Sequence, residues 1–174
     1  WTLNICPSSG PDGVIIADTL YTVFMSGASG ANRVYLSTTS LSNPESSSTK
    51  LLAEDIADLN SQNYPRIAHH DSAVAIVWKQ VVDNDAQIAF LYKDKLQDGF
   101  PQAAEVIASS TSNNLTNPDV VVSNGKVHVV WQNNADNTIQ YISGVYGLTG
   151  ITSTSNQKLT IEIFPNPASE YISV

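Results

Sequence analysis

The chain has 174 residues, of which 42% are hydrophobic and 14% charged, a length and balance that build one domain with a real core and exclude disorder over most of it. Its formal net charge is -8, and its eight Lys and Arg are scattered, which excludes a phosphate-backbone binder, because nucleic-acid affinity needs clustered cations. No apolar run approaches the roughly 18 residues of a membrane-spanning helix, and the single Cys6 has no disulfide partner within the chain.

The chain opens at Trp1 and stops inside an alternating run at Val174, so it reads as part of a longer polypeptide with any signal peptide upstream. Trp1-Thr2-Leu3-Asn4-Ile5 reads as a short strand that finishes a preceding unit or closes onto the last one. The thiol of Cys6-Pro7-Ser8-Ser9-Gly10 has no cationic neighbour in the sequence and reads as inert.

A pattern then begins at Pro11 and recurs at Pro65 and Pro118, spaced 54 and 53 residues apart. In each copy an aromatic follows the proline by 13 positions: Phe24, Trp78 and Trp131. A second apolar run follows a polar loop at Arg33-Val34-Tyr35-Leu36, Gln87-Ile88-Ala89-Phe90 and Thr138-Ile139-Gln140-Tyr141, and a further short run appears at Lys50-Leu51-Leu52-Ala53 and Glu105-Val106-Ile107-Ala108. These runs are short, rich in Val, Ile and aromatics, and lack helical periodicity. Four strands in a tandem unit of this length are the signature of a β-propeller blade.

The expected fold is therefore all-β, with propeller blades over residues 1–147 and repeats near 11–54, 65–109 and 118–147. Propellers need about four to eight blades to close, so three blades imply either a larger ring with further blades upstream or packing against something else. Hairpin turns are expected at Asp18-Thr19, Asp71-Ser72 and Asn124-Gly125, the last being the strongest short hairpin signal. Aligning the first repeat on its proline puts Phe24 in the slot of the tryptophans, whereas aligning on Asp18 puts Met25 there; a bulge would reconcile the two. Blade-to-blade packing is the expected role of the aromatics.

Catalytic signals are sparse. The chain has no Gly-x-Ser-x-Gly elbow, no phosphate-binding glycine loop and no cysteine-based zinc spacing, so no cofactor is expected. His69 and His70 are neighbours on one strand, point to opposite faces and suit no metal site, and Asp83-Asn84-Asp85 lacks calcium-loop spacing. What remains is geometric. Loops leading into each inner strand, and those between second and third strands, should gather at one end of the blades, over residues 60–64, 80–85, 112–117 and 132–136. Candidate ligand contacts there are Asn63, Tyr64, Arg66, Asp83, Asp85, Asn117, Asp119 and Asn133, side chains suited to hydrogen bonding with sugars or peptides.

After Tyr141 the chain turns Gly-, Ser- and Thr-rich, and residues 148–157 read as a linker. Residues 158–174 then form a strand, a Pro165-Asn166-Pro167 turn that cannot join a ladder, and a second alternating strand. This segment resembles the opening of the C-terminal sorting domain, β-sandwich-like, that marks cargo of the type IX secretion system of Bacteroidetes. The resemblance implies export through the periplasm and outer membrane, to the medium or cell surface, with the secretion machinery as a partner. In that setting Asp18-Thr19-Leu20 and Asp71-Ser72-Ala73 resemble the Asp-Ser/Thr-apolar motif of O-glycosylation, making Thr19 and Ser72 candidate glycan sites. The fold brings sialidase-like propellers to mind, but their Asp boxes are absent and the chain has only two arginines, Arg33 and Arg66. The expected function is a non-catalytic module binding glycan or surface protein; the alternative is a glycan-degrading hydrolase whose catalytic residues lie mostly outside this chain.

Overall fold

The computed structural model describes residues 9–53, 56–94, 100, 103–147 and 150–152. Strands β1 (Asp12–Ile16), β2 (Thr19–Ser26), β3 (Arg33–Ser40) and β4 (Ser47–Leu51) form blade 1. Blade 2 comprises β5 (Leu59–His70), β6 (Ala73–Val82), β7 (Asp85–Lys93) and β8 (Glu105–Ser110). Blade 3 comprises β9 (Leu115–Ser123), β10 (Lys126–Asn133), β11 (Thr138–Gly147) and β12 (Gly150–Thr152). Each is an antiparallel meander, and no helix occurs among the described residues. The strands follow the short β-branched and aromatic runs of the sequence, which suit a pleated, half-buried surface.

Two apolar layers hold the blades together. Val23, Val34 and Leu36 of blade 1 meet Ile67, Val74, Ile76, Trp78, Ala89 and Leu91 of blade 2. On the opposite face of blade 2, Ala75, Val77, Ala86, Ile88 and Phe90 meet Val120, Val122, Val127, Val129 and Trp131 of blade 3. The period-2 alternation along β6 thus assigns even residues to one neighbour and odd residues to the other. A buried side chain reinforces the first layer: the Gln62 Oε1 of β5 accepts the Val34 backbone N–H of β3 at 2.9 Å.

The recurring spacing between proline and aromatic has a local cause. The ladder between β5 and β6 pairs Asn63 with Lys79 and Arg66 with Val77, so Tyr64 and Pro65 bulge opposite Trp78. The ladder between β9 and β10 pairs Thr116 with Gln132 and Asp119 with Val130, so Asn117 and Pro118 bulge opposite Trp131. A proline tolerates this place because a bulge leaves a residue outside the ladder, where its missing N–H costs nothing. The residue before each proline is left-handed: Gly10 at φ 65°, Tyr64 at 55° and Asn117 at 47°.

The hairpin turns settle the alignment of blade 1. The left-handed first turn residue is Ala17 (φ 52°), Asp71 (52°) and Asn124 (49°) in the three blades, and these positions are spaced like the prolines. The turn expected at Asp18-Thr19 is therefore Ala17-Asp18, with Thr19 already paired to Ile16 as the first residue of β2. No shift interrupts the ladders of β1, β2 and β3. The proline alignment holds, and Phe24 takes the slot of the tryptophans. It stacks on Tyr35, its cross-strand partner, with ring centroids 5.8 Å apart.

The linker expected at 148–157 begins differently. Gly150–Thr152 pairs with Val145, Tyr146 and Gly147 as the fourth strand of blade 3, because backbone groups at a sheet edge bind any extended chain that can reach them. The strand expected at residues 1–5 and the sorting motif at Pro165, Asn166 and Pro167 lie outside the described residues.

Candidate functional site

The inner strands β5 and β9 begin at the end of the blades where β6 and β10 finish, opposite the hairpin turns at Asp71 and Asn124. Connections at that end are tied to one another. The Gln62 N–H donates to the Asn32 carbonyl at 2.9 Å, Asp83 N–H to Asp58 at 3.0 Å, and Asn134 N–H to Asn114 at 3.0 Å. The loops thus gather as the sequence suggests, but several expected loop residues are strand. Residues 60–64 lie in β5, 115–117 in β9 and 80–82 in β6, because the inner strands reach past the bulge and continue the ladder beyond it.

Four candidates sit at the two bulges. Tyr64 is half-buried and left-handed, a conformation costing a non-glycine residue about 1–2 kcal/mol, which persists only where the surroundings impose it. The Asn63 Oδ1 accepts the Tyr64 N–H at 2.9 Å and the Ser9 hydroxyl at 2.6 Å. Arg66 donates from Nη1 to the carbonyls of Pro65 at 2.8 Å and Ser9 at 3.2 Å. Ser9 thereby joins Asn63 and Arg66. In blade 3 the amide of Asn117 donates to Gln132 Oε1 from the matching position.

The carboxylates next to the prolines serve the backbone. Asp12 accepts the Gly13 N–H on Oδ1 at 2.9 Å and the Ile67 N–H on Oδ2 at 3.0 Å, tying β1 to β5. Asp119 accepts the Val120 N–H at 2.9 Å. Asp83 is exposed in the β6–β7 turn and Asp85 opens β7, both outward of the inner strand. Asn133 ends β10 and accepts the Ala135 N–H at 3.0 Å. Burial raises the pKa of Glu105, but this carboxyl starts β8, at the far end from the loops.

Lys79 escaped the sequence reading. It lies opposite Asn63 on the face of β6 that also carries Val77, and burial lowers its pKa. The only signal for it was a lysine interrupting the apolar run of β6.

The candidate glycan positions are at the other end of the blades. Ser72 is exposed in the β5–β6 turn and donates to the Asp94 carbonyl at 2.9 Å. Asp18 accepts the hydroxyls of Ser40 at 2.9 Å and Ser42 at 2.6 Å and the Ser42 N–H at 3.1 Å. These bonds lower its pKa, that from Ser42 most. They also join the β1–β2 turn to the β3–β4 connection, beside Thr19. His69 and His70 end β5, where both are exposed.

No protein-family model matches the chain, and no curated protein matches it in sequence. Solved structures share its fold. The catalytic domain of a GH62 α-L-arabinofuranosidase from Coprinopsis cinerea superposes with TM-score 0.53 at 9% identity, over 78% of this chain and 45% of that one. A GH32 β-fructofuranosidase from Bombyx mori gives 0.52 at 13%, over 90% and 37%. An α-L-arabinanase from Cellvibrio cellulosa gives 0.50 at 10%, over 80% and 54%. The fold is a β-propeller. The chain spans from 37% to 54% of the lengths of these proteins.

Proposed function

We propose that this chain forms the glycan-binding part of a β-propeller that works outside the cell. The observation carrying the reading is the bulge at Tyr64: a half-buried aromatic held left-handed between Asn63 and Arg66 at the loop end. A ring of this kind offers a face to a sugar, and the flanking amide and guanidinium offer donors and acceptors that fix its orientation. Asn117 and Asn133 extend the polar surface into blade 3. The likeness to propellers that act on arabinose- and fructose-containing substrates supports the choice of glycan over peptide.

Hydrolysis is the second reading, favoured by those same relatives. It needs two carboxyl groups flanking one bond, and both oxygens of Asp12 are held by backbone N–H groups. Residues 158–174 support delivery by the type IX secretion machinery, and Thr19 and Ser72 are its proposed O-glycosylation sites. The test is calorimetric titration with arabinan, fructan and galacturonan oligosaccharides, with products checked by chromatography. Binding weakened by Tyr64→Ala without release of sugar is expected; steady release of reducing ends would move the assignment to hydrolase.

A further inference from the structure

Resting on the glycan reading above, we propose that the loop end of blade 2 holds the carboxylate of a uronic-acid residue through Arg66 and Lys79, with Asn63 beside them. The register makes the arrangement. Arg66 stands opposite Val77 and Lys79 opposite Asn63, and directly opposed side chains share a face. Val77 packs into the layer between blades 2 and 3, so both side chains leave their strands on that side, at the loop end, from where the Arg66 guanidinium reaches back to the Ser9 carbonyl ahead of β1.

Among the described residues neither cation has a counter-charge. In a chain with twice as many acidic as basic residues, 16 against eight, neither Arg66 nor Lys79 forms an ion pair with a carboxylate among the described residues. Among the described acids, Asp12 and Asp119 hold backbone N–H groups. Asp83 lies four residues beyond Lys79, about 13 Å along an extended strand, where water screens it. Arg33, the other arginine, points its guanidinium at the carbonyls of Asn32 and Leu59.

Both groups are prepared for an anion. The Arg66 Nη1 is fixed by two carbonyls, while Nη2 and Nε make no hydrogen bond among the described residues, leaving one edge of a planar fork that matches a carboxylate. Lys79 is half-buried, which lowers its pKa, and an arriving anion supplies charge in place of the solvent it has lost. A neutral sugar would leave that deficit in place.

The decisive comparison uses the full chain with α-1,4-galacturonotriose and its fully methyl-esterified form, which differ in charge and not in ring structure. Titration calorimetry is expected to give about tenfold tighter binding of the acid, with the advantage shrinking as salt rises. Lys79→Met and Arg66→Gln each reduce the acid's advantage. Equal affinity for the two forms overturns the carboxylate subsite and leaves the glycan reading standing. An advantage for the acid that survives both substitutions also overturns the assignment. Failure of both forms to bind overturns the subsite, and the glycan reading falls with it only if the arabinan and fructan oligosaccharides also fail to bind. The salt titration of the unmodified chain decides the matter even if a variant fails to fold.

Discussion

Blade 2 and blade 3 share one strand pattern and one bulge, yet they are buried differently. In β6 the run from Val74 to Trp78 is wholly buried, with odd and even side chains both in contact with neighbours. In β10 burial alternates: Val127, Val129 and Trp131 are buried, whereas His128 and Val130 are only partly so. The other face of blade 3 carries Val121 at 57% and Val145 at 41% exposure, with His128 Nδ1 and the Tyr141 hydroxyl hydrogen-bonded at 2.6 Å. Blade 1 is the mirror case, with Ile15 at 54% on the side away from blade 2. A blade's stability therefore depends on how many neighbours it has more than on its own ladder.

The aromatic slot is where this contrast should be widest. Trp78 is fully buried, and Trp78→Ala is expected to cost about 3–5 kcal/mol in urea denaturation, as large-to-small core changes do. Phe24→Ala removes the equivalent side chain, which is only partly buried and stacks on Tyr35, and is expected to cost about half as much. Equal losses would break the comparison by showing that blade 1 has a neighbour on both sides. Next in size, Val77→Ala should lose about 2 kcal/mol, while Val121→Ala stays within about 0.5 kcal/mol. Val121→Lys sharpens the point, since a charge on an open face is tolerated and one in a blade interface is not. A collapse of the urea midpoint in that variant would mean the face is covered in the folded protein.

The smallest expected effect concerns Asp18. Its folded pKa is lowered, so its contribution to stability is present above the unfolded value, near 3.9, and fades as pH falls through the folded one. The difference in urea midpoint between the unmodified chain and Asp18→Asn should be level above about pH 5 and close towards zero in stronger acid. A difference that does not change with pH would mean that the serine hydroxyls hold the amide equally well.

Much of the fold was legible because burial and periodicity are written into β-strands. The apolar run of β6, broken by Lys79 and Gln80, is that of a strand covered on both faces, and the proline-to-aromatic spacing announced the repeat. The turn of blade 1 was misread because Asp18-Thr19 looks like turn chemistry, whereas the left-handed residue is Ala17, which carries no such signal. β12 was hidden in a Gly-, Ser- and Thr-rich stretch whose pairing depends on a neighbouring edge and not on its own propensity. At the candidate site, Asn63 and Asn117 were singled out as ends of loops leading into inner strands and Arg66 as lying just inside one; the structure puts all three at the bulges beside the prolines. Lys79 was missed because its role comes from its cross-strand partner, information that lies in register.

The bulges within β5 and β9 have a further consequence for how such repeats can drift. From Pro65 to Trp78 the chain crosses a hairpin with a two-residue turn, so deleting one residue anywhere along it would turn the aromatic to the wrong side of the sheet. Substitutions leave this phase untouched. Blades of this type can lose nearly all resemblance in sequence while their loop lengths vary freely, but the stretch between proline and aromatic keeps a fixed count, as it does in all three copies here.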